Sequence, residues 1–343
     1  MRIRRTAMSI AALSLTAPAA ASEVDVFDGR WSFGEQSSVV TELQNAESPK
    51  LADDRERRFG GDSLSVHWAL EAGKWFARAH YNRIDDTIRA GADFDRQIGN
   101  DRTEVVVGRH WNGHGRHWWT RKSLISTWET RRTSDGQLLA DRHVAQFGID
   151  GPKQSHLQVQ YHSGKELQAG RLFDFDRVVL SGRVKPSDSV EMGVETHVGD
   201  RMDFVNARPA EQHRVQPFVR WNFGKNVAFH VNGAHVDLDT RDGQQIIDAK
   251  LVDASLIWQF DNVGSVNLAL QQQDIERNQG AFAVAVAPRT REVGHRLSYT
   301  WKVSPRAEIQ LGYADAFADV NAVEVLVDTN RNWFMNVGYA LGM

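Results

Sequence analysis

Hydrophobic and polar residues alternate with a period of two along most of the chain. In residues 296–303, the odd positions hold Leu, Tyr, Trp and Val, and the even positions hold Arg, Ser, Thr and Lys. Pro305 then marks a tight turn, and residues 307–313 repeat the alternation. This period predicts β-strands with one apolar and one polar face. The two runs together predict an antiparallel hairpin.

The same alternation recurs in roughly fourteen to sixteen runs, many of them about ten residues long, which is the length that a tilted strand needs to cross a bilayer. Short turns at 71–73, 224–226, 261–262 and 304–306 contrast with long polar stretches at 45–62, 83–102, 199–214, 272–292 and 315–331. Short turns on one rim and long loops on the other are typical of outer-membrane barrels. The pattern predicts an all-β fold, with residues 23–343 forming a single antiparallel transmembrane β-barrel of outer-membrane type.

Tryptophan placement agrees with a barrel. Trp and Tyr at strand ends would form interfacial girdles, with their rings in lipid and their polar atoms at the headgroups. The alternative is a soluble β-sandwich with these tryptophans in its core. The tryptophans predicted at or near strand ends are Trp68, Trp75, Trp111, Trp128, Trp221, Trp258, Trp301 and Trp333.

The first 22 residues have the layout of a secretory signal peptide. Arg2, Arg4 and Arg5 precede a short apolar run, and small residues gather near Ala21 and Ser22, where we expect cleavage. The alternative is an amphipathic first helix. Export and the barrel pattern together predict location in the bacterial outer membrane.

The C-terminal segment has a second targeting feature. Residues 339–343, Tyr-Ala-Leu-Gly-Met, resemble the signal that the barrel assembly machinery reads. That signal usually closes with Phe, so Met343 is a departure. The partners expected from these segments are outer-membrane lipid and the assembly machinery.

Composition excludes several classes of function. The chain has no cysteine, which excludes disulfides, thiolate metal sites and a cysteine nucleophile. Its net charge of −3 offers no broad basic field, so no nucleic-acid partner is expected. Mean hydropathy is −0.47, and the absence of a long apolar stretch after the signal peptide argues against transmembrane helices.

Several segments, taken in order, resemble the bacterial domain-of-unknown-function family DUF5916. They are residues 61–66, 92–99, 297–306, 311–315 and 332–339. The resemblance implies the C-terminal outer-membrane barrel of that family. The family's N-terminal carbohydrate-binding-like domain has no counterpart here, because strands begin almost directly after the signal peptide. The family supplies no established catalytic residues to carry over.

Two clusters in the sequence are candidate chemical sites. His110, His114 and His117 lie within eight positions and could bind Zn²⁺ or Cu²⁺, but a polar rim rich in His, Arg and Trp explains them more simply. Asp174 and Asp176 could be paired carboxylates, although a loop or a lumen-facing pair is the simpler interpretation. Gly-x-Ser-x-Gly is absent. We therefore predict no catalytic residues, no metal and no cofactor.

Charged residues on the polar parity of the strands are the favoured functional elements. In an open barrel they would line a water-filled pore, whereas in a closed barrel they would only pair and stabilise it. The leading prediction is a porin-like channel for small polar solutes, with its oligomeric state left open. The alternatives are a non-conducting barrel that binds a glycan or a partner through long loops, and a barrel hydrolase. The candidate lumen-lining residues are Arg78, Arg183, Glu191, Glu195, Arg220, His230, Arg296, Lys302 and Glu308.

Overall fold

The structure is a computed structural model that describes residues 23–33, 37–48, 59–84, 100–115, 117–168, 170–319 and 326–339. Within these ranges the chain forms seventeen β-strands and one short 3₁₀-helix, η1. The pairings given for these strands are all antiparallel. The predicted fold class is therefore confirmed: the protein is all-β and of the outer-membrane β-barrel type. The seventeen described strands are one more than the upper end of the predicted range of about fourteen to sixteen.

The strands follow one another along the chain, joined by turns and connections. The first nine are β1 (Glu23–Phe33), β2 (Ser37–Ser48), β3 (Phe59–Ala72), β4 (Trp75–Ile84), β5 (Asn100–Asn112), β6 (Arg121–Thr133), β7 (Leu138–Asp150), β8 (His156–Gln168) and β9 (Arg171–Ser187). The remaining elements are β10 (Val190–Asp203), β11 (Arg208–Phe223), β12 (Val227–Thr240), β13 (Gln245–Gln259), β14 (Gly264–Arg277), η1 (Gln279–Ala281), β15 (Arg289–Ser304), β16 (Ala307–Asp319) and β17 (Leu326–Tyr339).

The chain packs as two compact units. Among the described residues, unit 1 contains those up to Gly113, with Arg121–Phe147 and Gln160–Asp176. Unit 2 contains the described residues of His114–Thr120, of Gly148–Val159 and of the chain from Arg177 onwards. In unit 1, β1 to β6 pair in sequence order, and in unit 2, β10 to β17 do the same.

Each unit presents an apolar face that is exposed. In unit 2, Leu256, Leu268 and Leu297 lie directly opposite one another on β13, β14 and β15, and their exposed fractions are 37%, 44% and 49%. In unit 1, Leu124 and Trp128 have exposed fractions of 51% and 46% on β6. A soluble sandwich would bury such faces in a core. We call this side of each unit its apolar face and the opposite side its polar face.

Few apolar side chains of the described residues are buried. The one buried cluster lies in unit 2, and its largest member is Ile246, which is fully buried. The other members are Ala210, Leu238 and Ala281. Large apolar side chains of the described residues are therefore seldom buried, and many of them are exposed.

Several stretches that we predicted as long loops are strand instead. β10 ends at Asp203 and β11 begins at Arg208, so residues 199–214 contain only a four-residue turn. Likewise, β14 continues to Arg277 and β15 begins at Arg289, so the connection is shorter than the predicted loop at 272–292. These strand ends extend beyond the apolar band, where both faces are polar. Period-two alternation disappears there, and with it the signal for a strand.

The observed bounds of the strands also decide which of the predicted tryptophans lie at strand ends. Trp75, Trp221 and Trp258 lie within two residues of a strand end, as predicted. Trp128 and Trp333 instead lie near the middle of β6 and β17, which corrects their predicted placement. The aromatic residues next to the short turns therefore match the predicted girdle better than Trp128 and Trp333 do.

Aspartates that accept hydrogen bonds help to close the turns. The backbone N–H groups of Val263 and Gly264 donate to Asp261 Oδ1 at 2.8 and 2.7 Å. These bonds hold the pKa of the Asp261 carboxyl below its ordinary value of 3.8, because they favour the charged form. Asp261 closes the β13–β14 turn.

Some predictions fall outside the described residues. They include the signal segment 1–22 with its cleavage site, the motif at 92–99, much of the stretches 45–62 and 83–102, and Met343. Among the described residues, no helix has the length and hydrophobicity to cross a membrane.

Candidate functional site

The polar face of unit 2 gathers four of the nine predicted residues in one row across the strands. Glu191, Arg220 and His230 lie directly opposite one another on β10, β11 and β12. The same row continues through β13 and β14 to Arg296 on β15. Arg220 Nη1 lies 3.5 Å from Glu191 Oε2, so one charge pair is already formed within the row. The sequence parity thus placed these residues on a common face, and the register aligned them.

Three of the predicted arginines share one local arrangement. In each case the guanidinium carbon lies 5.2 to 5.8 Å from the centre of a phenylalanine ring two residues away or on a nearby strand. That ring in turn covers a glycine that lies directly opposite it on the neighbouring strand. The three sets are Arg78–Phe76–Gly108 in unit 1, and Arg220–Phe218–Gly193 and Arg296–Phe334–Gly312 in unit 2.

The glycine in each set provides the space for the aromatic ring. A Cβ added at Gly108, Gly193 or Gly312 would overlap the facing phenylalanine. An aromatic residue that packs over a cross-strand glycine restores the contacts that the glycine lacks. The ring then offers its face to the guanidinium, an attraction of about 0.5–1 kcal/mol at exposed sites. The arrangement therefore limits where each positive charge can lie.

The other predicted residues also lie on polar faces. Lys302 and Glu308 are directly opposite each other on β15 and β16, near the short turn. Arg183 on β9 lies opposite Gly193. Glu195 interacts with a histidine on its own strand, since its Oε1 lies 2.7 Å from His197 Nε2.

Sequence reasoning missed an ion-pair network on the polar face of unit 1. Its centre is Glu129 on β6, whose side chain is 15% exposed. Arg102 and Arg131 approach this carboxylate to 3.0 and 3.3 Å, and Arg142 lies 3.9 Å away. The network extends through the pairs Arg102–Glu104 at 2.6 Å and Arg142–Glu166 at 2.7 Å. The charged residues on one parity of 100–112 and 121–133 were the available signal.

The β14–β15 connection folds onto the polar face at the far end of β11–β13. Ala281 in η1 packs in the buried cluster with Ala210, Leu238 and Ile246. Arg208 Nη2 donates to the Ala281 carbonyl at 2.9 Å. Arg208 also pairs at 3.0 Å with Asp203, which is only 3% exposed. A salt bridge on the polar face thus anchors this connection.

A hollow of about 400 Å³ lies beside Arg296 in unit 2. Small residues leave the space, among them Ala269, Gly294 and Ala314. The polar side chains around it are Asp253, Asn267, Gln271, Asn330 and Asn332. Hydrogen-bond donors and acceptors therefore surround one of the predicted arginines.

The histidines of the sequence cluster have different partners. Arg121 Nη2 lies 2.8 and 2.9 Å from the two ring nitrogens of His110, which also stacks on Phe76. His117 stacks on Trp119 with ring centres 4.8 Å apart. These contacts agree with the interpretation as a polar segment rich in His, Arg and Trp.

The interpretation of Asp174 and Asp176 as a loop or lumen-facing pair is wrong. Both lie within β9 and share the parity of Leu172, whose side chain is 48% exposed on the apolar face. Lys165 Nζ lies 3.2 Å from Asp174, and the Tyr161 hydroxyl donates to Asp176 at 2.7 Å. A neighbouring lysine and tyrosine allow the carboxylates to lie on this side of the strand.

No protein-family model and no curated protein matches the chain. Solved structures that resemble it include outer-membrane-expressed OmpT of Vibrio cholerae, with 11% identity, a TM-score of 0.41, and coverage of 95% of this chain and 99% of that one. Two others are the siderophore receptor PirA from Pseudomonas aeruginosa (9%, 0.48, 95% and 71%) and the outer-membrane channel DcaP of Acinetobacter baumannii (8%, 0.44, 95% and 99%). At such identities a similarity concerns the fold alone.

Proposed function

We propose that the protein is a porin-like channel in the bacterial outer membrane that passes small polar solutes without covalent chemistry. The exposed apolar face supports the membrane location. Leu256, Leu268 and Leu297 would lie against lipid, and the nearby Trp258 and Trp301 would lie near the headgroups. The opposite, polar face would line a water-filled pore.

The observation that carries the proposal is the row of charges from Glu191 to Arg296. These residues share a face, and packing on Phe218 and Phe334 positions Arg220 and Arg296. Rings of charged side chains set the ion selectivity of channels. Arginines held in position on a solvent-exposed face are therefore suited to selecting solutes by charge.

The β14–β15 connection supports a pore of limited width. Because η1 packs on the polar face through Ala281, it would occupy part of the space that a pore needs. The ion pair of Arg208 with Asp203 would hold it in place. The solutes that pass would consequently be small.

Some parts of the proposal rest on the sequence alone. Export by the signal segment, recognition by the barrel assembly machinery and kinship with DUF5916 are of this kind. We propose no enzymatic role and no cofactor for the passage of solutes.

Single-channel conductance in a planar lipid bilayer tests the channel. We expect discrete, salt-dependent current steps, and we expect Arg220→Glu and Arg296→Glu to shift the reversal potential towards cation selectivity. Arg291→Glu is the matched control, because Arg291 lies on the same strand as Arg296 but on the other face. Its reversal potential should match that of the wild type.

Two results would count against the channel. A protein that inserts as a folded barrel but passes no current would exclude a pore and favour the non-conducting alternative. Equal shifts for Arg291→Glu and Arg296→Glu would show that the polar face does not line the conducting path.

A further inference from the structure

Three potential metal ligands converge on the β12–β13 hairpin, on the side of the apolar face. His235 Nε2 lies 3.4 Å from Asp237 Oδ1 and 3.2 Å from Asp248 Oδ1. One ligand atom from each of the three residues lies within 4.8 Å of the others. All three side chains are half-buried. Among the described residues, this is the one group of His and acidic side chains with such spacing.

The register places two like charges directly opposite each other. Asp237 on β12 faces Asp248 on β13, and such carboxylate pairs destabilise an antiparallel sheet. Lys250 Nζ approaches Asp248 Oδ2 at 3.3 Å and so uses the oxygen that does not face His235. His213 on β11 lies directly opposite Asp237 on its other side. A cation held between the two carboxylates would offset their repulsion.

The position of the group is compatible with access from solution. Along β12, the apolar face carries Phe229 and Val231 before His235 and Asp237. His235 therefore follows the apolar residues of β12, on the side of the short turn at residues 241–244. An ion could reach this site without crossing lipid.

We propose that His235, Asp237 and Asp248 form a binding site for a divalent transition-metal ion. One imidazole nitrogen with two carboxylate oxygens suits Zn²⁺ and related ions, whereas Ca²⁺ and Mg²⁺ prefer oxygen ligands alone. Three protein ligands leave a fourth tetrahedral position for water or a group from outside. The paired strands hold the ligands on a fixed scaffold. The site does not depend on whether the polar face conducts.

Zinc titration of the detergent-solubilised protein by calorimetry tests the site. We expect binding of one Zn²⁺ that His235→Asn weakens by about tenfold or more, the loss expected when a metal site is disturbed. Asp248→Asn should weaken it as well. His197→Asn is the matched control, because His197 also pairs with a carboxylate, at 2.7 Å from Glu195, but on the polar face. Its zinc affinity should be unchanged.

A second measurement distinguishes the loss of metal binding from misfolding of the variant. Co²⁺ bound by the wild type should give the visible absorption of a low-coordinate site, and His235→Asn should lose it while keeping its far-ultraviolet strand spectrum. The proposal falls if the wild type binds no zinc in the micromolar range. It also falls if His235→Asn, folded by this criterion, binds zinc as tightly as the wild type.

Discussion

At the residue scale, packing between an aromatic ring and a glycine determines where the arginines of the polar face lie. Phe334 lies over Gly312 and beneath the Arg296 guanidinium, and Phe218 does the same between Gly193 and Arg220. A glycine in a strand is normally a weak point, since it has no side chain to pack. Here the missing side chain is what makes room for the ring.

We expect Gly312→Ala to displace the Phe334 ring and to lower the free energy of unfolding by about 1–3 kcal/mol, the usual cost of overpacking. The measurement is urea unfolding of the protein folded into vesicles. The same variant should also loosen Arg296, because its supporting ring moves.

Gly294→Ala on the neighbouring strand is the matched control. The nearest atom to a Cβ there is the Asp315 carbonyl oxygen at 3.9 Å, which is ordinary contact. Its unfolding free energy should stay within about 0.5 kcal/mol of the wild type or rise slightly, since alanine restricts the unfolded chain. Equal destabilisation by the two variants would contradict the role assigned to the Phe334 ring.

At the scale of the strand, neighbouring strands of unit 1 are linked by charges as well as by backbone hydrogen bonds. Glu129 on β6 contacts arginines that come from β5, from its own strand and from β7. Its side chain is much less exposed than those of surface ion pairs. A carboxylate shared by several guanidinium groups stabilises all of them, so its removal leaves positive charges without compensation.

Glu129→Gln should therefore destabilise the protein by about 1–3 kcal/mol, less than the loss of a fully buried pair. The free energy of unfolding, measured as above at low and high salt, checks this value. The loss should persist at high salt, because partly buried charges are screened less than exposed ones.

Glu71→Gln provides the comparison. Glu71 lies 3.9 Å from Arg78, and both side chains are largely exposed, at 77% and 64%. Surface pairs of this kind contribute about 0–1 kcal/mol. If the two glutamine variants were equally stable, the network around Glu129 would have no special weight.

At the scale of the whole molecule, the distribution of apolar residues is the reverse of that in a soluble protein. Large apolar side chains such as Leu268 and Leu297 are exposed, whereas buried apolar residues are few among the described residues. The polar faces carry the ion pairs and charged rows. Such a protein requires an apolar solvent on one side.

This distribution predicts a depth-dependent cost for a charge on the apolar face. Leu268→Arg should lower the free energy of unfolding from lipid by about 2–4 kcal/mol, the cost of an arginine near the bilayer midplane. Unfolding from vesicles by guanidinium measures it.

Gln272→Arg is the control on the same strand and the same face. It lies four residues further along β14, roughly 13 Å away, where an arginine should cost about 0–1 kcal/mol. Equal effects at both positions would argue that lipid does not contact this face.

The sequence by itself determined the fold class and, for most strands, the face on which each residue lies. Period-two alternation carries this information locally, since successive side chains of any strand point to opposite sides. Arg220 and Arg296 could thus be assigned to the polar face from parity alone. At residues 199–214 alternation is lost, and the strands were missed because polar strand ends and loops have the same composition. Around Asp174 alternation is present, but the aspartates lie on the parity of Leu172, so their face was predicted wrongly.

Only the tertiary structure decided which residues meet. Register brings Glu191 opposite Arg220, Phe334 over Gly312, and Asp237 against Asp248. The partners lie on different strands, and no local pattern fixes the pairing between them. Register depends on the length and geometry of every turn and on the packing of both faces at once. The ion-pair network of Glu129 and the three-residue metal-ligand group of His235 are both products of that register.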